Sequence, residues 1–432
     1  MGPAKSVSGN ASGLKLIFRA LRYKNYRLFF GGQGISLIGT WMQSVAMSWL
    51  VYRLTGKPLL LGIVGFTSQI PAFALAPLAG VLADRWNRRR MLVVTQTLMM
   101  LQALILAVLV LTGTIAVWHI IALSLAAGLV IAFDLPARQS FVVEMIERKE
   151  DLGNAIALNS FLFNGARIIG PSIAGILIAA VGEGLCFLIN SVSYLAVIAA
   201  LLAMAITPRK ARPQRKHILH ELKEGAVYAF GSMPIRNLLL LLGAMTLLAT
   251  PYATLMPVFA KNVLHGDAHT QGFLLAAAGV GALTGALYLA SRPGVLGLGR
   301  IIAVAGSIVG VGLVAFSASR IFWISLPMMM VTGFGMMVGM ASCNTILQTI
   351  VDDDKRGRVM SFYAMAFTGA APLGSLLAGV LADRIGAPYT VRIGGTCCIL
   401  AALVFARKIP AMRQLVRPIY QSLNILPGIK ED

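Results

Sequence analysis

The sequence predicts an all-α membrane protein with twelve transmembrane helices in two pseudo-symmetric bundles of six. Three observations support this prediction. Of the 432 residues, 57% are hydrophobic and only 12% are charged, roughly half the charged fraction of a soluble domain. Apolar runs of about 20 residues, the length that crosses a hydrocarbon core ~30 Å thick, recur along the whole chain. Motifs of the first half also return in the second half.

Twelve apolar runs are predicted to span the membrane. They are 28–52, 59–83, 91–112, 115–137, 155–180, 183–206, 236–260, 271–290, 300–318, 321–345, 359–382 and 391–407. The predicted domains are therefore a cytoplasmic N-terminal segment (1–27), a first bundle (28–207), a cytoplasmic linker (208–235), a second bundle (236–408) and a cytoplasmic tail (409–432).

The basic residues orient these spans. The net charge is +21, but the basic residues lie in short loops between apolar spans, which argues against binding of nucleic acid. Alternating the loops places 30 Lys and Arg on the side that holds both termini and 6 on the other, with Arg167 inside a span, of 37 in all. An excess of Lys and Arg marks cytoplasmic loops, so both termini are predicted to be cytoplasmic.

Two amphipathic segments flank the first bundle. Leu14, Ile17, Phe18 and Leu21 recur at helical spacing with basic residues between them, which predicts a helix lying on the inner leaflet. The linker contains a second amphipathic stretch, 218–228, which is predicted to be a cytoplasmic helix.

The loop between spans two and three is short and strongly charged, reading Gly-Val-Leu-Ala-Asp-Arg-Trp-Asn-Arg-Arg-Arg from Gly80 to Arg90. This stretch resembles the loop G-x-x-x-D-R-x-G-R-R of the major facilitator superfamily, with Asn87 in place of the second glycine. A near copy occupies 378–384. The resemblance implies the major facilitator fold, with parallel six-helix halves built from inverted three-helix repeats.

The repeat extends into spans five and eleven. A shift of 204 positions places Gly165 on Gly369 and Gly170 on Gly374. Spans five and eleven are therefore predicted to be copies of each other, six spans apart.

Five charged residues are predicted to meet at the cytoplasmic rim of the first bundle: Asp84, Arg85, Arg88, Asp134 and Arg138. The resemblance to the superfamily implies that Asp84, Arg88 and Asp134 form a charge relay, which stabilises the outward-open state. The alternative is a simple salt-bridged loop. Asp134, about one turn from the predicted end of span four, is the acid nearest the membrane interior. It is therefore the leading candidate for a proton carrier.

Span one carries a polar stripe at spacings of three and four residues, formed by Gln33, Ser36, Thr40 and Gln43. In lipid such a stripe must face protein or water. The unbroken polarity of this face favours a water-filled cavity, which makes these residues candidates for binding substrate. Packing between helices through small polar residues is the alternative.

Span five combines Gly165, Gly170, Pro171 and Gly175, a small-residue face that lets another helix approach closely. It resembles the antiporter motif G-x(3,4)-G-P-x(3)-G. With this motif, the segments 36–43, 49–52, 133–139 and 152–160 resemble the branch that contains the enterobactin exporter and macrolide-efflux proteins. That resemblance implies the bacterial inner membrane, export and proton antiport.

Arg167 is the only charge near the middle of a span, and it shares a helix face with Asn164. Its planar guanidinium would suit a carboxylate or catecholate of a substrate. The alternative is that it caps backbone carbonyls freed by Pro171. Phe133 and Phe334 are further candidates, as aromatic lining of a binding site.

These patterns predict proton-coupled export of an amphipathic small molecule, such as a siderophore or a drug. A lysophospholipid transporter and a membrane sensor or scaffold that transports nothing are the alternatives. The sequence contains no nucleophile–base pattern, phosphate-binding loop or metal-ligand spacing, so no enzymatic activity, metal or cofactor is expected. The expected partners are the lipid bilayer, the substrate and protons, with a monomer as the expected state.

Overall fold

The computed structural model describes residues 18–205, 218–292, 294–352, 354–423 and 425. Within these ranges the regular structure is entirely helical. Side chains at 77, 80–81, 83–85, 149 and 218–223 lie outside the description.

The first half contains six long helices joined by very short turns. Gly56 ends the first helix with a φ of 63°, and Pro58 starts the next, where its missing N–H costs nothing. The Asn87 side chain accepts a hydrogen bond from the Arg90 amide at 3.0 Å and so caps the third helix. The six helices are α1 (Lys24–Thr55), α2 (Pro58–Arg85), α3 (Arg88–Leu111), α4 (Val117–Glu144), α5 (Lys149–Val181) and α6 (Glu183–Ala203).

The linker contains one described helix, α7 (Ile218–Gly231), which packs on the second half. The Glu224 carboxylate pairs with Arg358 at 2.8 Å, and Gly225 lies against the same arginine. The Phe230 ring meets Phe362 edge to face at 6.1 Å. The linker helix is therefore attached to the second bundle.

The second half repeats the arrangement, with its first span broken. The seventh predicted span contains Pro251 and Pro257, and a proline cannot donate the backbone hydrogen bond of a helix interior, so the sequence predicts a kink there. The structure confirms the kink at Pro251, because the α-helix ends at Ala249. The span continues through short 3₁₀ and π segments, Thr250–Tyr252 and Phe259–Val263. The α-helices are α8 (Met233–Ala249), α9 (Met256–Val258), α10 (Ala268–Ala290), α11 (Leu298–Ala318), α12 (Phe322–Ile350), α13 (Arg356–Thr368), α14 (Ala370–Ile385) and α15 (Ala387–Ser422).

The predicted all-helical membrane fold is confirmed. Eleven segments of the described chain are long and apolar enough to cross a membrane. The remaining predicted span, span one, lies in helix α1. With 32 residues this helix is long enough to cross a membrane, but it is less apolar because it carries the polar stripe.

Three helix ends differ from the predicted boundaries. Helix α4 continues through Pro136 to Glu144, so Asp134 lies ten residues, about 15 Å, inside its end rather than about one turn. Helix α15 runs on to Ser422, so most of the predicted tail is a continuation of the last span. Near the N-terminus the described part of the predicted interfacial helix is one 3₁₀ turn, Arg19–Arg22, and α1 begins at Lys24.

The core shows how the two halves meet. We call the side of the membrane where α1 begins and α15 ends the terminus side, and the opposite side the far side. One continuous buried cluster joins both halves on the far side; it includes Leu50, Phe187, Phe259 and Phe316. On the terminus side each half has its own separate cluster. The two bundles are therefore closed on the far side and separate on the terminus side.

Candidate functional site in the crevice between the bundles

Glycines allow the bundles to touch on the far side. A Cβ on Gly272 of α10 would lie 2.3 Å from the Pro171 carbonyl oxygen of α5, and 3.0 Å from the Cα of Gly175. A Cβ on Gly62 of α2 would lie 2.7 Å from the Ser375 carbonyl oxygen of α14. These two contacts, α5 with α10 and α2 with α14, bring backbone against backbone.

Polar side chains on the far side add to this closure. The Asn262 amide donates to the Tyr52 hydroxyl at 2.6 Å, and the Gln271 amide donates to the Ser48 hydroxyl at 2.7 Å. Both hydrogen bonds join the first half to the second.

Asp267 caps α10 beside this contact by accepting from the amides of His269 and Thr270. Partial burial acts to raise the pKa of Asp267, but hydrogen bonds from the His269 ring and these amides outweigh it and lower the pKa. The resulting negative charge stabilises the N-terminus of α10.

Arg167 lies where the contact between α5 and α10 ends. It is about 27 Å from the first residue of α5 and about 21 Å from the last, near mid-membrane. Its half-buried guanidinium stands 5.9 Å from the Trp41 ring of α1, and that ring meets Phe163 edge to face at 5.7 Å. Among the described residues, no carboxylate forms an ion pair with Arg167 and no backbone carbonyl accepts a hydrogen bond from it. Asn164 lies one turn away and bonds the Ser160 carbonyl at 2.8 Å.

The polar stripe of α1 faces the inside of the first bundle. Gln33, Ser36 and Gln43 are at most 9% exposed. Gln43 donates to the Gln102 amide oxygen of α3 at 2.9 Å and accepts from Asn190 of α6 at 2.6 Å.

Thr40 is half-buried and bonds within the same bundle. Its hydroxyl donates to the Ser36 carbonyl at 2.9 Å and lies 3.3 Å from the Tyr194 hydroxyl. In this conformation the stripe joins α1 to α3 and α6. Substrate contact by these four residues stays a prediction.

Asp134 is buried in a set of hydrogen bonds between α3 and α4. One carboxylate oxygen accepts from the Thr95 hydroxyl and from the Gln96 amide, both at 2.7 Å. The other oxygen pairs with Arg138, one turn further along α4. Only 6% of the Asp134 side chain is exposed. A carboxylate in this position is held in place by three donors.

Arg88, another of the predicted charges, belongs to a second ion pair. Arg88 pairs with Glu144 at 2.6 Å, at the terminus-side ends of α3 and α4. Arg89 donates to the carbonyls of Leu201 and Leu202 at the end of α6, both at 2.7 Å. The side chains of Asp84 and Arg85 lie outside the described residues, so a relay among all five charges stays a prediction.

The two predicted phenylalanines lie in different halves of the chain, on α4 and α12. Phe133 lines a cavity between α2, α3 and α4. Phe334 of α12 is half-buried with its ring 5.8 Å from that of Tyr288 of α10.

The glycine motif of span five has two contact surfaces. A Cβ on Gly170 would lie 2.5 Å from the Trp41 Cβ, so Gly170 packs on α1. Pro171 and Gly175 pack on α10, whereas a Cβ on Gly165 would meet no other atom within 4 Å.

Comparison with known proteins identifies the family. Residues 17–420 match the family described as transmembrane secretion effector, a major facilitator family. The chain belongs to this family of transporters. Relatives match over nearly their whole length: the staphyloferrin A transporter of Staphylococcus aureus is 26% identical, with 88% of this chain and 95% of the relative covered. The multidrug efflux pump Tap of Mycolicibacterium fortuitum is 26% identical, covering 89% and 93%. Macrolide efflux protein A of Streptococcus pyogenes is 22% identical, covering 89% and 96%.

A solved structure supports the fold of this transporter. A bacterial homologue of the iron transporter ferroportin, in an inward-facing state, matches with a TM-score of 0.66 and 18% identity. The match covers 90% of this chain and 98% of that one. The predicted resemblance to exporters of the major facilitator superfamily is confirmed.

Several residues around these sites were not predicted from the sequence. Thr95 and Gln96 hold Asp134, Glu144 pairs with Arg88, and Trp41 lies beside Arg167. Glu144 lies seven residues beyond the predicted end of span four, so the hydropathy pattern did not indicate its pairing with a residue of the rim. The part of the chain that the structure describes has no group of three His, Cys, Asp or Glu residues that could hold a metal.

Proposed function

We propose that this transporter exports amphipathic small molecules by alternating access, coupled to protons through Asp134. The observation that carries the proposal is a pair of bundles closed on the far side by backbone contacts and separate on the terminus side. A crevice of this form can take up a substrate from one side, and repacking of the glycine contacts would release it on the other. Efflux proteins among its relatives support the direction of transport.

Asp134 is proposed to carry the proton. It is a buried acid in a span. Burial of a carboxyl group inside a span costs free energy, so an acid at such a position is a candidate functional residue. Its three hydrogen-bond donors would have to rearrange when the carboxylate is protonated, which would couple the charge to the packing of α3 against α4.

Arg167 is proposed to bind an anionic group of the substrate. Its guanidinium has no ion-pair partner in the described chain and lies beside Trp41 near mid-membrane. An unpaired cation in a low-dielectric crevice attracts anions strongly, and the adjacent indole would contact the apolar part of an amphiphile.

The test uses purified protein in liposomes with an imposed pH gradient and two fluorescent probes, anionic carboxyfluorescein and neutral Nile red. Asp134→Asn should abolish gradient-driven transport of both probes. Arg167→Gln should reduce transport of carboxyfluorescein tenfold or more, with little change for Nile red. Arg300→Gln, an exposed arginine at the start of α11, is the matched control and should change neither.

Each part of the proposal has its own contradicting result. Gradient-driven transport by Asp134→Asn would place the proton site elsewhere. Equal loss of both probes in a well-folded Arg167→Gln protein would favour a packing role for that residue. Transport of lysophospholipid alone, or of no compound, would favour the two alternative functions.

A further inference from the structure

A second cavity lies outside the crevice. It has a volume of about 740 Å³ and is lined by residues of α2, α3, α4 and the turn between α2 and α3. Helix α4 forms its floor, because α2 and α3 both pack on α4 but scarcely on each other. All of its described lining residues belong to the first half of the chain. We call it the lateral groove.

The lateral groove faces the bilayer. Val94 and Leu98 of α3 are 57% and 46% exposed, and Leu129 of α4 is 43% exposed. The exposed face of α3 is apolar along its length, and α3 packs on α4 and α6 of its own bundle. Exposed apolar side chains on a membrane-spanning helix lie against lipid, so the groove opens sideways into the hydrocarbon.

The end of the groove on the terminus side is polar and basic. Trp86, Asn87 and Arg90 lie there, where the turn between α2 and α3 leaves the membrane. Tryptophan and arginine at this depth are typical of the lipid headgroup region. The groove therefore has an apolar length and a cationic mouth, the two parts of an anionic lipid in the same order.

Arg90 differs from the two arginines beside it. Arg88 pairs with Glu144, and Arg89 donates to carbonyls at the end of α6. The Arg90 side chain is exposed and has no hydrogen bond or ion pair with any described residue. Two of the three consecutive arginines thus have partners within the protein. The third, Arg90, leaves its positive charge at the mouth of the groove.

We propose that the lateral groove binds an anionic phospholipid of the leaflet on the terminus side. Its phosphate would accept hydrogen bonds from Arg90 and the Asn87 amide, and one acyl chain would lie along Val94, Leu98 and Leu129. The lining of the groove includes Thr95 of α3, whose hydroxyl donates a hydrogen bond to Asp134. The lipid would therefore lie one side chain away from the buried acid.

The first experiment uses the fluorescence of Trp86. The chain has five tryptophans, and replacing the other four with phenylalanine leaves Trp86 as the reporter. The protein is reconstituted in vesicles that contain either dibromo-phosphatidylglycerol or dibromo-phosphatidylcholine at equal bromine content. Stronger quenching by the anionic lipid is expected, and Arg90→Gln should lower this preference about fivefold, the factor for ~1 kcal/mol per basic residue near a membrane surface.

The second experiment needs no tryptophan substitution. Native mass spectrometry counts phosphatidylglycerol retained by the wild-type chain, by Arg90→Gln and by Val94→Phe, which fills the groove without changing charge. Both variants should retain less lipid. Arg413→Gln, an exposed arginine on α15 at the same side of the membrane, is the matched control and should retain as much as the wild type.

Three results would overturn the proposal. One is equal quenching of Trp86 by the two lipids in the unsubstituted groove. Another is the same loss of phosphatidylglycerol in Arg413→Gln as in Arg90→Gln, which would indicate general surface charge. The third is relief of the quenching by Nile red or carboxyfluorescein, which would make the groove part of the substrate path.

Discussion

At the scale of single residues, each buried carboxylate described in the first bundle has a basic partner. Asp134 pairs with Arg138 within α4 and takes two more hydrogen bonds from α3, while Arg88 pairs with Glu144 nearer the terminus side. A buried ion pair need not stabilise a protein more than two apolar residues at the same positions would. Removing one partner of the pair, however, leaves an uncompensated buried charge. Substitution of one partner alone should therefore cost more stability than substitution of both partners together.

Arg138→Gln is expected to destabilise the protein, by on the order of 3 kcal/mol, because it leaves the Asp134 carboxylate buried without its cation. Adding Asp134→Asn to that variant should recover most of the loss. The measurement is thermal unfolding of the purified protein in detergent. Lys355→Gln breaks the exposed pair with Asp352 and serves as the control, with a change of about 1 kcal/mol or less. A double variant no more stable than Arg138→Gln alone would contradict the expected coupling.

At the scale of helices, closure depends on two backbone contacts that only glycine permits. On α5 and α10, Gly175 and Gly272 leave no room for a methyl group next to the partner backbone, and on α2 and α14, Gly62 and Gly379 are equally close. Backbone atoms cannot turn aside as a flexible side chain can. A methyl group at one of these positions should therefore push two whole helices apart on the far side.

Gly272→Ala is expected to shift the protein toward a state that is open on the far side. Its Cβ would lie 2.3 Å from the Pro171 carbonyl oxygen. Spin labels at positions 57 and 383, exposed far-side sites on opposite halves, would report the change as a longer distance by pulsed electron resonance. Gly165→Ala on α5 has no neighbour within 4 Å and should leave the distance distribution unchanged. The same distribution in both variants would show that closure does not depend on this contact.

At the scale of the whole molecule, the described residues form a buried core shared by the two bundles only on the far side, and the linker helix α7 is bound to the second bundle. The chain enters and leaves the membrane on the same side, since its spans form two sets of six. That side is predicted to be cytoplasmic, because Lys and Arg are concentrated there.

Reporter fusions test this orientation. A green fluorescent protein fused after Leu423 should fluoresce, because it folds in the cytoplasm, and alkaline phosphatase fused at the same place should be inactive. A fusion after Gly113, in the turn between α3 and α4, should give the opposite pattern. Active phosphatase after Leu423 would mean that the orientation is reversed or the number of spans is odd.

The sequence by itself determined the class of fold, the order of the spans, the broken span at Pro251 and the family. These depend on local properties: the length of an apolar run, a proline inside it, or a short motif such as Gly80–Arg90. The two C-terminal helix ends that differ from the predicted boundaries, at Glu144 and Ser422, lie where charged residues continue a helix beyond the hydrocarbon. A hydropathy pattern alone cannot show this.

The tertiary structure decided which partner each polar side chain has. A polar stripe in lipid must meet either water or another helix, and the stripe alone does not distinguish them. Gln43 meets Asn190, 147 positions away, and Asp134 meets Thr95, 39 positions away. Such contacts depend on how each helix is rotated about its own axis when the helices pack together, which is a property of the assembled bundle. The same reason explains why Gly175 packs against the other half, whereas a Cβ on Gly165, in the same motif, would meet no described atom within 4 Å.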